Sequence, residues 1–101
     1  MMRGGIISTV NLTEAQGRLM LNGLPEAFAW EAVTTPFREI AEYSVGHARR
    51  AGALISKTRP FGLSLGDRAC LALAMELDAP VYTADRVWSR LDLGIPIRVI
   101  R

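Results

Sequence analysis

The 101-residue sequence predicts an α/β domain built on a short parallel sheet. Short β-branched runs (Gly5–Thr9, Val81–Thr83, Ile97–Ile100) alternate with longer segments of helical period. From Ala69 to Leu77 only Glu76 is charged, so that segment reads as a helix buried on most of its surface. Strands alternating with buried helices argue for parallel pairing with both faces of the sheet covered. A composition of 50% hydrophobic and 22% charged residues fits one compact domain spanning 1–101.

Gly5–Thr9 reads as a buried strand closed by hydroxyls, and Leu12–Asn22 as a helix stopped by Asn22-Gly23. In that reading Asn11 is the N-cap, with Glu14 three residues on. Pro25 opens a short helix to about Glu31, with Trp30 at a core edge. Ala32–Thr35 is a second strand candidate, ended by Pro36. Arg38–Ala51 is expected to be helical with Ile40, Ser44, Val45 and Ala48 facing inward and Arg49-Arg50 in the last turn. Lys57–Gly62 reads as a basic loop. The apolar helix follows, with Cys70, Leu71, Ala74 and Met75 expected in the core. After Val81–Thr83, a short helix from Arg86 carries Trp88 toward the sheet.

Charge is uneven along the chain. Met1–Ala48 carries three Arg against five Glu, whereas Arg49–Arg101 carries nine Lys/Arg against five acids. A basic second half is either an ordinary solvated face or suits a polyanionic partner held through its phosphates, with Lys57, Arg59, Arg68 and Arg86 nearest the acids. The single cysteine, Cys70, excludes a disulfide framework and points to a reducing, cytoplasmic setting. No apolar run reaches the roughly 18–20 residues that span a membrane, so no membrane role is expected.

Three acids stand out by position. Glu14, Asp67 and Asp85 each follow a turn and lie at the start of a predicted helix. In a parallel α/β sheet such positions converge on the crevice outside the carboxyl ends of the strands. Carboxylates gathered there repel one another, and a hard divalent cation such as Mg²⁺ or Mn²⁺ removes the repulsion. The competing reading is helix capping, with Ser64-Leu65-Gly66-Asp67 close to a capping box and Asp85 an N-cap. His47 stands alone on a predicted helix and reads as a surface residue rather than a metal ligand. Arg68 and Arg86 each follow an acid directly, either as ion-pair partners or as holders of substrate phosphate.

Ser8–Glu14, Leu65–Ala74 and Thr83–Trp88 together resemble, in order and spacing, the successive motifs of PIN-domain ribonucleases, in particular VapC-type toxins of toxin–antitoxin pairs. The resemblance runs over nearly the whole chain and implies a PIN-like three-layer α/β/α domain. It implies Glu14, Asp67 and Asp85 as catalytic ligands of Mg²⁺ or Mn²⁺, with Thr83 beside them and Arg68 and Arg86 toward substrate. It further implies RNA hydrolysis by metal-activated water, a cognate antitoxin as partner, and a homodimer. The family opens with a strand ending in Asp and one or two helices ahead of the segment matching Gly5–Glu14, and this chain shows none of that. It therefore reads as N-terminally truncated, with the absent strand expected between Gly5–Thr9 and Val81–Thr83. A further family acid, two residues past Asp85, is here Val87. An alternative function is that of a weak or inactive PIN domain that binds the antitoxin without cleaving.

Overall fold

The computed structural model describes residues 5–100 and has a mixed α/β architecture with short parallel strands. Its packing divides the chain into two compact units, Met1–Tyr43 and Ser44–Arg101.

In the first unit, β1 (Gly5–Ser8) pairs in parallel with β2 (Phe37–Ala41), Ile7 opposite Ile40 and Ser8 opposite Ala41. Two helices, α1 (Thr9–Leu21) and α2 (Glu26–Thr34), make the crossover that a parallel pair requires. Ser8 ends the strand and caps α1 by accepting the Val10 N–H at 3.2 Å. This moves the expected start of the helix three residues toward the N-terminus and leaves Glu14 in its second turn, so Glu14 is not part of a cap. Gly23, at φ +100°, supplies the left-handed turn after α1. Gln16 Nε2 then donates to Glu26 Oε2 at 3.3 Å, tying the hairpin. Leu12, Ala29 and Val33 are its buried apolar residues.

Two expectations fail in this unit. Ala32–Thr34 continues α2 instead of forming a strand, and the strand is Phe37–Ala41, placed in the sequence reading at the start of a helix. Three β-branched or small residues do not outweigh an ongoing helical ladder, whereas Phe37–Ala41 finds a parallel partner in β1. Ile40, expected to face inward, is exposed, as is Trp30, and so are Ser44, Val45 and Ala48 at the start of the second unit.

In the second unit, α3 (Val45–Ala53) and α4 (Ile55–Thr58) lead through a 3-10 turn at Arg59–Phe61 to α5 (Leu65–Leu77). The expected loop at Lys57–Gly62 is therefore mostly helical, and Gly62 at φ +69° ends it. β3 (Val81–Thr83) pairs in parallel with β4 (Ile97–Val99), joined by a 3-10 turn at Arg86–Arg90. Leu54, Leu63, Leu71, Ala74, Val81, Trp88, Leu91 and Leu93 form one apolar core, with Cys70 and Met75 half-buried against it. Leu71, Ala74 and Trp88 thus lie where the apolar periodicity puts them. Cys70 and Met75 sit one step further toward the surface than expected.

Each of the four strands has a single hydrogen-bonded neighbour among the described residues, and β1 and β3 belong to separate sheets. Two-stranded pairs are marginal by themselves, so these depend on the helices packed against them. No helix is long and apolar enough to cross a membrane.

Burial, and to a lesser degree the nearby Asp67 carboxylate, pushes the Cys70 thiol up from 9.0 to about 11. Both causes disfavour the thiolate. Below pH 9 the native thiolate is then roughly 100-fold scarcer than in the unfolded chain, and alkylation of native Cys70 at pH 8 should be slowed by about that factor. Between about pH 9 and 11 the unfolded chain releases this proton first, so stability should fall as pH rises through that window. Rapid labelling of native Cys70 at pH 8, or stability flat across that range, would contradict this.

Candidate functional site

Asp67 is placed by the local chemistry of the α5 start. Ser64 Oγ accepts the Asp67 N–H at 3.2 Å, and Asp67 Oδ2 accepts the Ser64 N–H at 2.9 Å. This reciprocal capping box settles two of the orphan donors of the helix end. It also holds the side chain in one rotamer and leaves Oδ1 without a hydrogen-bond partner among the described residues.

Asp85 is fixed in a similar way past the end of β3. Its N–H donates to Thr83 Oγ1 at 3.0 Å, and its Oδ1 accepts the Val87 N–H at 3.0 Å, capping the 3-10 turn that carries Trp88. Thr83 therefore orients Asp85 through the backbone. Here too one carboxylate oxygen, Oδ2, is left without a partner among the described residues. The capping reading and a ligand role are compatible, because each cap uses one oxygen of two.

Glu14 is exposed on α1 in the first unit, while Asp67 and Asp85 belong to the second. Among the described residues, no group of three or more His, Cys, Asp and Glu side chains lies close enough together to hold a metal ion.

The two arginines differ. Arg68 Nη1 donates to the Ala51 carbonyl at 3.0 Å, in the last turn of α3, where a cation complements the helix dipole. Its buried Nε has no partner among the described residues, which leaves a donor unmet next in sequence to Asp67. Arg86 is exposed and free of ion pairs among the described residues.

Sequence reasoning missed His47. It is only 5% exposed, not a surface residue. Its Nδ1 accepts the Ser44 N–H at 3.2 Å and its Nε2 lies 2.7 Å from Glu76 Oε1. The close approach of Nε2 to the Glu76 carboxylate brings α3 against α5. Ser44-Val45-Gly46-His47 has capping-box spacing, with histidine in the place of the usual acid, and that was the available signal.

No protein-family model matches the chain, and no curated protein matches it in sequence. Its structure is similar to a crystal structure from Mycobacterium tuberculosis described as a member of the VapBC family of toxin–antitoxin systems, VapBC-5. The TM-score is 0.62 at 18% sequence identity, covering 98% of this chain and 98% of that one. The α/β fold class is shared with that toxin–antitoxin protein.

Proposed function

We propose that the chain is an Mg²⁺- or Mn²⁺-dependent endoribonuclease of VapC toxin type, with an antitoxin protein as its partner and the cytoplasm as its setting. The observation that supports this best is the state of Asp67 and Asp85. Both are locked by backbone caps, and both keep one carboxylate oxygen uncommitted. Oxygen-only donors of that kind suit a hard divalent cation. When bound, such a cation lowers the pKa of a water and neutralises charge on the phosphate oxygens.

The chain's own groups position and hold. The Ser64 N–H and the Val87 N–H hold the two aspartate side chains in their rotamers, and Thr83 fixes the Asp85 backbone, which lowers the entropy cost of ordering them when the site forms. Arg86, exposed beside Asp85, would take a substrate phosphate.

The test separates cap from ligand. In Asp67→Asn the amide oxygen can still accept the Ser64 N–H, so folding should hold while the ligand charge is lost. RNA cleavage should stop with EDTA, return with added Mg²⁺, and fall roughly 100-fold or more in Asp67→Asn at an unchanged melting temperature. Cleavage that ignores EDTA, or an Asn variant as active as wild type, would sink the metal reading.

A second reading, an antitoxin-binding module without cleavage, is favoured by the α1–α2 hairpin. Leu21 is 90% and Phe28 65% exposed there, beside exposed Met20, Leu24 and Trp30. Apolar side chains in that density are characteristic of a docking surface. Under this reading Phe28→Asp abolishes antitoxin capture, and the wild-type chain cleaves no RNA with any divalent cation.

A further inference from the structure

The β3–β4 sheet has two unlike faces. Val81 and Ile97, opposite each other in register, turn into the apolar core of the second unit. Tyr82 and Arg98, the next pair in register, turn the other way. Tyr82 is 42% exposed despite its central place in the strand, Arg98 is exposed, and Ile100 extends the same face past Arg98.

Neither Tyr82 nor Arg98 is committed to the protein. Among the described residues the Tyr82 ring and hydroxyl make no hydrogen bond or ring contact, and Arg98 makes no ion pair. Such a face has the two elements that single-stranded nucleic acid needs. One is a flat aromatic on which any base can stack, and the other is a cation for the backbone. The surrounding charge has the matching sign. Residues 44–100 carry eight Lys/Arg against five Asp/Glu, and Arg86 and Arg90 are exposed on the turn that packs against β4. The strand that presents Tyr82 leads within three residues to Asp85.

We propose that the outward face of the β3–β4 sheet is a platform for single-stranded RNA, on which an unpaired base stacks on Tyr82 and Arg98 holds the adjoining phosphate. The choice of RNA rests on the ribonuclease reading above; the stacking and charge argument stands on this sheet alone. Duplex RNA has no free base face to offer, so it would engage Arg98 and leave Tyr82 idle.

The experiment measures binding of the 101-residue chain to a short fluorescein-labelled oligouridylate in EDTA, where no cleavage interferes. Tyr82→Ala should weaken binding about 5- to 150-fold, the range for loss of one stacked base, while Tyr82→Phe binds close to wild type. Arg98→Gln should weaken binding and flatten the slope of log K against log salt by about 0.7. Both side chains are exposed, so the melting temperatures of these variants should match wild type. Duplex RNA of the same length should respond to Arg98→Gln and not to Tyr82→Ala.

The platform is overturned if wild type does not bind the oligonucleotide, if Tyr82→Ala binds like wild type, or if Tyr82→Phe loses as much as Tyr82→Ala. The two readings can fail separately. A chain that cleaves RNA while these variants bind unchanged rejects the platform and keeps the ribonuclease. A chain that binds as described and never cleaves keeps the platform and rejects the ribonuclease.

Discussion

Trp88→Ala should destabilise the second unit by about 3–5 kcal/mol, the range for removing a large buried aromatic. Trp88 is 7% exposed and belongs to the cluster formed by Leu54, Leu63, Leu71, Val81, Leu91 and Leu93. It reaches that cluster because Asp85 caps the 3-10 turn on which it stands. Helices, turn and strands cannot all close on the space an alanine would leave, so the cavity persists and adds to the lost transfer free energy. Whole-domain stability is only about 5–15 kcal/mol, so the loss is a large share of it. Guanidinium unfolding followed by circular dichroism measures it. Trp88→Phe, which keeps most of the ring volume, should recover much of the difference. A loss below about 1 kcal/mol for the alanine variant would mean that the indole is not part of a packed core.

Leu12→Ala is expected to cost about 2–5 kcal/mol. Leu12 is among the largest fully buried side chains, and among the described residues the other buried apolar residues of the first unit are Ala29 and Val33. The alanine leaves a cavity that its surroundings fill only in part, and that adds to the lost transfer free energy. Leu21→Ala, on the same helix but almost wholly exposed, should change stability by no more than about 0.5 kcal/mol. The contrast between the two variants, measured by thermal and denaturant unfolding, is the check. Equal effects would show that Leu12 is not buried in solution.

What the sequence by itself determined lies within single turns and single helices. The start of α5 at Ser64, the capping box with Asp67, the N-cap at Asp85, the strand Val81–Thr83 and the buried face of Leu71 and Ala74 follow from residue types at fixed short spacing. The fold class was legible for the same reason, because alternation of strand and helix is a local pattern repeated along the chain. Asp67 and Asp85 could be singled out because cap and strand-end positions are local as well.

The tertiary structure decided the rest. Phe37–Ala41 is a strand because β1 offers its edge more than thirty residues away, a pairing with no trace in its own non-alternating sequence. His47 is buried because α3 packs on α5, which brings its Nε2 to 2.7 Å from Glu76 Oε1 on that other helix. Arg68 turns to the Ala51 carbonyl rather than to an acid, since the end of α3 packs where its guanidinium reaches. Tyr82 and Arg98 become neighbours only through the register of β3 with β4, sixteen residues apart in the chain. Each of these depends on a partner distant in sequence. A single chain read residue by residue carries propensity and spacing, whereas the energy of a long-range contact exists only once both partners are in place.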